Sequence, residues 1–258
     1  MKTALFFMGA LFLGSSVLTT DLTSAVYRGT AQTTEKGGER VSFMKGSTLD
    51  LTELEVYTFT LKAGQVNQAQ PAATDAEELI VVKEGSLAAT IQDSTETLGP
   101  GGVMLIRAGD KQRLRNVSGA PATYYVLRYK SKDGIDRQRA RAGGGSFMKD
   151  WGQFTVVKTD KKETRPVFDR PSTMFRRFDV HATMLMPGIA SHPPHTHRTE
   201  EIILMIQGSG EILIDRKAHK AAAGDVVFLE ANVPHAFTNT GKGPCGYFAI
   251  QWHSNAEK

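Results

Sequence analysis

The sequence has little of what several common protein classes require. Cys245 is its one cysteine, so the chain cannot form an internal disulfide. The longest apolar run without charge is 4–18, and its fifteen residues are short for a membrane-spanning helix, which needs about 20. Basic residues are spread along the chain, apart from a short group at 137–141. The composition therefore argues against a disulfide-rich domain, an integral membrane protein and a nucleic-acid-binding protein.

Histidine is absent from the first 180 residues, and all seven histidines lie at or beyond His181. The rest of the composition is that of a globular protein, with 40% hydrophobic and 22% charged residues and a net charge of +4. At about 150 residues a domain, the 258 residues correspond to one or two domains. The uneven histidine count predicts that the second half of the chain has chemistry that the first half lacks.

The first 25 residues resemble a secretory signal. A short positively charged start is followed by the apolar run, and the small residues Thr23 and Ala25 are placed for cleavage before Val26. Cleavage near 14–16 is the alternative. We therefore predict a protein exported to the periplasm or the extracellular space, which is not bound to the membrane once the signal at 1–25 has been removed.

The sequence contains an internal repeat of about 123 residues. Residues 78–85 (ELIVVKEG) match residues 201–208 (EIILMIQG) at this offset, and the same offset relates asparagine and aromatic positions near the end of each copy. We therefore predict two copies of one domain. The predicted boundaries are a signal at 1–25, an N-terminal domain at 26–131, a linker at 132–164 and a C-terminal domain at 165–258.

Both copies have the pattern of β domains. Short apolar or alternating runs are separated by turn-forming residues, and the sequence shows no extended amphipathic helix. In the second copy, the runs lie at 178–186, 201–207, 211–215, 225–229 and 246–252. We therefore expect a sandwich or a small barrel in each half, and barrels of this kind hold ligands in their mouth.

Four side chains of the second copy form a candidate metal site. His195, His197 and Glu201 all have odd numbers, so an extended strand directs them to one face and directs Glu200 to the other. His235 joins them if it lies on a neighbouring strand. Three imidazoles and one carboxylate suit a divalent transition-metal ion, and four protein ligands leave coordination positions for water or substrate.

The spacing of these residues is similar to that of the two cupin motifs. The first motif, G-x5-H-x-H-x3-E-x6-G, is represented by Gly188, His195, His197, Glu201 and Gly208. The second motif, G-x5-P-x-G-x2-H-x3-N, is represented by Gly224, Pro234, His235 and Asn239. The first glycine is one residue further away than usual, and the second motif lacks its middle glycine.

The chain thus resembles the cupin superfamily, and specifically a two-domain bicupin with RmlC-like jelly rolls of the cupin 2 conserved barrel type. The resemblance implies an all-β fold of tandem double-stranded β-helix (jelly-roll) barrels, with His195, His197, Glu201 and His235 as metal ligands. It also implies one divalent transition-metal ion, which is manganese, iron, nickel or zinc. Cupins commonly pair sheets between subunits, so the resemblance further implies a homodimer.

The first copy lacks the corresponding ligands. At the offset of 123, Ala72, Thr74 and Gln112 take the places of the three histidines, and Glu78 alone remains. One carboxylate without imidazole partners is a poor site for a transition metal. We therefore predict that the N-terminal domain is structural or shapes the pocket of the C-terminal domain. The alternative is that a non-metal ligand binds in the mouth of the N-terminal barrel.

Other residues of the second copy are weaker candidates. His192 is a candidate general acid or base, or a residue that supports a metal ligand from behind. A solvent-facing loop residue is the simpler interpretation. Gln251 interrupts the apolar run at 246–252, and a buried polar side chain needs a partner, so Gln251 is a candidate catalytic or substrate-binding residue. His181 and Tyr247 are candidate substrate contacts, and an outward or hydrogen-bonded side chain is the equal alternative for His181.

The fold does not determine the reaction, because cupins include oxygenases, decarboxylases, isomerases, aminohydrolases and non-enzymatic binders. The resemblance favours a metalloenzyme that acts on a small oxygen-rich or carboxylate-bearing molecule at the site of three histidines and one glutamate, with no nucleic-acid partner. One alternative is a bicupin similar to ureidoglycine aminohydrolase with altered ligands, since that family also has a degenerate first copy. The other is a non-enzymatic secreted binding protein with a structural metal.

Overall fold

The structure is a computed structural model that describes residues 21–35, 37–67 and 74–257. Most of the predicted signal and Ala72, the counterpart of His195, lie outside the described residues. Within the described ranges, no helix is long and apolar enough to cross a membrane.

Strands dominate both halves of the described chain. The first half contains β1 (Ala25–Tyr27), β2 (Ala31–Glu35), β3 (Gly38–Gly46), β4 (Leu51–Leu61), β5 (Val66–Asn67), β6 (Glu77–Glu84), β7 (Leu87–Ile91), β8 (Ser94–Leu98), β9 (Val103–Ile106), β10 (Gln112–Asn116) and β11 (Ala122–Ser131). The second half contains α1 (Arg137–Ala142), β12 (Phe147–Lys149), a 3-10 turn (Trp151–Gln153), β13 (Val157–Lys158), β14 (Lys162–Arg170), β15 (Arg177–Leu185), β16 (Glu200–Gln207), β17 (Ser209–Ile214), β18 (Lys217–Ala222), β19 (Val226–Leu229), β20 (His235–Thr238) and β21 (Cys245–His253).

Each half forms one barrel from a large and a small antiparallel sheet. The N-terminal barrel combines the order β12-β9-β6-β11-β4-β3-β2 with β5-β10-β7-β8, and the C-terminal barrel combines β1-β19-β16-β21-β15-β14-β13 with β18-β17-β20. Within each barrel the chain passes repeatedly between the two sheets, from β4 to β7 and from β8 to β11 in the N-terminal barrel and from β18 to β21 in the C-terminal barrel, as in a jelly roll. The structure confirms the predicted all-β fold of tandem double-stranded β-helix barrels.

The first strand of each copy crosses to the other barrel. Strand β1 precedes the N-terminal barrel in sequence but pairs with β19, with Val26 opposite Val227. Strand β12 lies before the C-terminal barrel but pairs with β9, with Met148 opposite Met104. The predicted linker at 132–164 contains α1, β12, the 3-10 turn, β13 and the start of β14, so this segment forms part of the folded structure.

Apolar residues fill three cores, one inside each barrel and one between the two large sheets. Strand β16 contributes to two of them, because successive side chains of a strand point to opposite faces. Ile203 and Met205 belong to the core of the C-terminal barrel, whereas Ile202 and Leu204 belong to the core between the barrels. This double burial explains why β16 is apolar on both faces.

The glycine that ends each repeated segment has a steric reason. Gly208 has φ +69°, a conformation that favours glycine, and a Cβ there would lie 2.6 Å from the Pro244 carbonyl oxygen. Gly85 has φ +81°, and a Cβ there would lie 2.6 Å from the Ala122 Cβ. The glycine at the end of the first cupin motif is therefore required by the turn between neighbouring strands of the barrel.

Candidate metal centre

Backbone pairing positions His195 beside His235. The loop between β15 and β16 runs antiparallel to β20, with isolated bridges from Ala190 to Thr238 and from His195 to His235. The His195 amide donates to the His235 carbonyl at 3.2 Å, and the His235 amide donates to the His195 carbonyl at 3.0 Å. The loop is thereby held against the small sheet. His195 and His197 therefore reach the same end of the barrel as His235.

The four predicted ligands face one another at this end. One ring nitrogen from each of His195, His197 and His235 lies within 4.8 Å of the others. The Glu201 Oε2 lies 3.2 Å from His197 Nε2 and 3.4 Å from His235 Nε2. His235 is buried and His195 is exposed, so the cluster opens towards solvent on one side.

Hydrogen bonds to carbonyl groups orient two of the rings. His197 Nδ1 lies 2.8 Å from the Thr199 carbonyl oxygen, and His235 Nδ1 lies 2.8 Å from the Val233 carbonyl oxygen. Since a carbonyl only accepts, each Nδ1 carries a proton, and each Nε2 faces Glu201. Nε2 presents a lone pair when the ring is neutral, and it can donate to the carboxylate when the ring is protonated. His235 Nε2 is buried and makes no hydrogen bond to a described residue. An orphaned imidazole nitrogen aimed at a carboxylate and two further imidazoles is the arrangement that a transition-metal ion would satisfy.

The ionisation states also suit a metal. Burial alone would raise the pKa of Glu201, but His197 and His235 outweigh it and lower that pKa to about 2. Burial and the neighbouring imidazoles lower the pKa of His195. The hydrogen bond to Glu201 raises the pKa of His197. At neutral pH the cluster therefore holds an ionised carboxylate, and His197 keeps its second proton to a higher pH than an unperturbed imidazole does.

The N-terminal barrel holds the strand segment that carries the ligands. Arg198 donates to both oxygens of Asp50, at 3.0 and 2.9 Å. Glu200 accepts hydrogen bonds from the Thr48 hydroxyl at 2.7 Å and from the Leu49 and Asp50 amides. Between 197 and 201 the side chains alternate, with His197 and Glu201 towards the cluster and their neighbours towards the other barrel.

Gln251 lies next to Glu201 on the inner face of the large sheet. Strand register places Gln251 opposite Glu201 on β16 and opposite Asp179 on β15. Two same-face positions further along β21, beyond Ala249, Tyr247 lies opposite Thr183. Burial and the negative charge of Glu201 raise the pKa of Tyr247, so this phenol keeps its proton. These side chains provide polar groups on the wall beside the cluster.

The two remaining candidates have different surroundings. His192 is exposed, and its ring packs edge-on against His195 with centroids 4.0 Å apart, while its Nδ1 lies 3.0 Å from the Pro193 carbonyl oxygen. His181 is partly buried, and its Nδ1 lies 3.4 Å from Asp179 Oδ1. His192 thus lies at the entrance to the cluster, and His181 lies opposite Ala249, one strand beyond Gln251.

Several supporting residues were absent from the sequence-based candidates. Val233 acts through its carbonyl group, which no residue type reveals. Thr199 acts through its carbonyl and also through its hydroxyl, which lies 2.8 Å from His197 Nδ1. Asp50 and Arg198 are far apart in sequence, so their contact has no local signal. Asp179 could have been predicted from the sequence, because it shares odd numbering with His181 and Thr183 on the same predicted strand and so lies on the same face.

The equivalent place in the N-terminal barrel contains an arginine. Arg128 is the counterpart of Gln251, and it forms an ion pair with Glu53 while its Nε lies 3.9 Å from Glu78 Oε1. Gln112, the counterpart of His235, donates to Glu78 Oε2 at 2.5 Å. Burial raises the pKa of Glu78 although Gln112 and Arg128 act against it. A guanidinium therefore supplies the positive charge beside this carboxylate, and imidazoles are replaced at the two described counterparts, Thr74 and Gln112.

Comparisons with known proteins agree with this architecture. A family described as "Cupin domain" matches residues 182–251, which include His195, His197, Glu201 and His235. No curated protein sequence matches the chain.

Solved structures resemble the whole chain. A putative glyoxylate-induced protein from Pseudomonas aeruginosa has a TM-score of 0.70 at 17% identity, with 96% of each chain covered. Protein Ylba from E. coli has a TM-score of 0.67 at 16% identity, covering 93% of this chain and 95% of that one. Oxalate decarboxylase from Lactobacillus farciminis, in a formate complex, has a TM-score of 0.69 at 12% identity, covering 92% and 88%. At these identities the likeness concerns the fold. Residues 182–251 therefore match a cupin domain, and the chain as a whole has the same two-barrel fold as these solved structures.

Proposed function

We propose that the C-terminal barrel binds one divalent transition-metal ion and that the protein is a metalloenzyme for a small carboxylate-bearing molecule. The observation that carries the proposal is the convergence of His195, His197 and His235 on the ionised carboxylate of Glu201. The orphaned Nε2 of His235 supports it, since an unsatisfied buried nitrogen costs stability unless a ligand binds it.

The residues present would hold the ion through three neutral imidazole nitrogens and one carboxylate oxygen. Manganese, iron, nickel and zinc all accept such a donor set. When bound, the ion would act as a Lewis acid and would hold an oxygen ligand at its open positions. The +2 charge of the ion and the −1 charge of Glu201 sum to +1, so the loaded site favours an anion.

The chain's own residues give the site an entrance and a polar wall. His195 is exposed and His192 lies beside it, so a small molecule reaches the cluster from that side. Gln251 is next to Glu201 and can donate its amide protons to an oxygen of the bound molecule. Tyr247 keeps its proton and can donate from deeper in the barrel. These contacts would orient a small oxygen-rich molecule rather than a long apolar one.

The names of the structural neighbours support the same substrate class. One neighbour is an oxalate decarboxylase in complex with formate, and another is described as glyoxylate-induced. Both names refer to small carboxylates. For this chain the carboxylate class is a proposal, as are export, supported by the signal-like residues 1–25, and a homodimer, supported by the family resemblance.

The test loads the purified protein separately with manganese, iron, nickel or zinc and measures binding and consumption of oxalate, glyoxylate and formate. We expect at least one of these carboxylates to bind only when metal is present, and to be consumed with one of the four ions. The matched control is His235→Ala, which should lose both properties. Carboxylate binding that is equal with and without metal contradicts the proposal. Metal-dependent binding without turnover instead supports the non-enzymatic alternative.

A further inference from the structure

The strand exchange between the barrels is accompanied by a repeated serine contact. The Ser24 hydroxyl accepts a hydrogen bond at 2.8 Å from the amide of Glu230, just after β19. The Ser146 hydroxyl accepts one at 2.9 Å from the amide of Arg107, just after β9. Ser146 lies 122 residues after Ser24, and Glu230 lies 123 residues after Arg107, so the two contacts are copies of each other.

We call residues 21–27 the N-terminal strap. Leu22 is buried, and the Ser47 hydroxyl donates to Asp21 at 2.7 Å. Ser24 also donates to the Glu230 carboxylate, from its amide at 2.8 Å and from its hydroxyl at 3.0 Å. Strand β1 then pairs with β19. The strap is thereby fastened at both ends.

The segment that Ser24 holds leads directly into the candidate metal centre. We call residues 230–233 the site turn. Its Asn232, which has φ +63°, donates its amide to the His197 carbonyl at 2.7 Å. Its Val233 carbonyl accepts from His235 Nδ1 at 2.8 Å. The site turn therefore contacts two of the three histidines, and Ser24 fixes its first residue.

We propose that the strap is a positioning element of the metal centre, with Ser24 as its positioning residue. This inference rests on the proposed metal site. Removal of residues up to Ala25 would delete Ser24 and leave the Glu230 amide without its partner. Signal cleavage compatible with an intact centre therefore lies upstream of Asp21, in agreement with the alternative near 14–16 and not with cleavage before Val26.

Ser146 provides an internal control, because its contact supports a barrel that lacks the histidines. The experiment compares Ser24→Ala, Ser24→Thr and Ser146→Ala for the zinc or manganese dissociation constant and for the melting temperature. We expect both alanine variants to lower the melting temperature. Ser24→Ala alone should weaken metal binding, by about 10-fold, and Ser24→Thr should restore it because threonine keeps the hydroxyl. Equal metal affinity in the two alanine variants contradicts the proposal.

A second measurement separates failure of the strap from failure of the metal site. Amide hydrogen exchange of the metal-free protein should be faster at 230–235 in Ser24→Ala and unchanged there in Ser146→Ala. If the unaltered protein binds no metal, the proposed function fails, while hydrogen exchange still tests the strap. In addition, a chain that starts at Asp21 should bind metal with the affinity of the full chain. A chain that starts at Val26, which lacks Ser24, should bind metal more weakly than the full chain. If hydrogen exchange at 230–235 is unchanged in Ser24→Ala, the proposed positioning role of the strap is wrong.

Discussion

Glu77 and Glu200 occupy equivalent places on the two barrels, and each accepts hydrogen bonds from a loop of the opposite barrel. Glu200 is bound by Thr48 and its neighbours, whereas Glu77 accepts from the Ser172 hydroxyl at 2.8 Å and from the Thr173 amide at 2.7 Å. An aromatic donor of the same barrel completes each set, Trp252 for Glu200 and Tyr129 for Glu77. The two carboxylates thus fasten the barrels together reciprocally.

The first prediction concerns the stability of this interface. Glu77→Ala and Glu200→Ala should each lower the free energy of unfolding by about 2–4 kcal/mol, because buried amide and hydroxyl donors lose their acceptor. Chemical denaturation measures the change. Glu211→Ala, on the outer face of the small sheet, is the control and should change stability by no more than about 0.5 kcal/mol. Losses below that value in both buried variants would contradict the described interface.

The second prediction concerns pH. Burial raises the pKa of Glu77 above its usual 4.5, although hydrogen bonds from Thr173, Ser172 and Tyr129 act against it. The folded protein therefore keeps this proton at a higher pH than the unfolded chain does, and stability from this group falls as pH rises above about 4.5. Glu77→Gln removes the titration, so the free energy of unfolding of the variant minus that of the original protein should rise between about pH 4.5 and 7. A difference that stays constant or falls with pH contradicts the raised pKa.

The third prediction concerns the metal affinity and its dependence on pH. Protonated imidazole cannot bind metal, and the hydrogen bond to Glu201 raises the pKa of His197 above the ordinary histidine value of 6.5. Proton competition should therefore begin at a higher pH than for an unperturbed histidine. Chelator competition between about pH 5.5 and 8.5 should show weakening as pH falls, by about tenfold per unit for each proton displaced. An affinity that does not change over this range would be inconsistent with imidazole ligands.

The fourth prediction exchanges the equivalent wall residues of the two barrels. Gln251→Arg places a guanidinium beside Glu201, as Arg128 lies beside Glu78, and should weaken metal binding by about 10-fold or more. Arg128→Gln leaves Glu53 and Glu78 without their cation and should cost about 1–3 kcal/mol of stability, with the metal content unchanged. Equilibrium dialysis and denaturation measure the two effects. Normal metal binding by Gln251→Arg would show that an arginine at this place does not by itself prevent metal binding.

The sequence was most informative where the signal is local. The spacing of His195, His197 and Glu201 predicted side chains on one face of a strand. They do converge, but His195 and His197 lie in the loop before β16, and only Glu201 lies on the strand. The barrel pattern predicted the fold. The strand exchange was not predictable, because β1 and β12 have three residues each and pair with partners far away in the chain. The same holds for Ser24, whose importance depends entirely on contact with Glu230. Arg128 of the first barrel was visible in the sequence, but its contacts with Glu53 and Glu78 were not.

Metal stoichiometry measured on purified protein tests the central claim most directly. Elemental analysis should give about one transition-metal ion per chain. His195→Ala, His197→Ala and His235→Ala should each lose that ion, while Gln112→Ala, the first-barrel counterpart of His235→Ala, should retain it. Two ions per chain, or one ion that persists in all three histidine variants, would contradict a single metal centre in the C-terminal barrel.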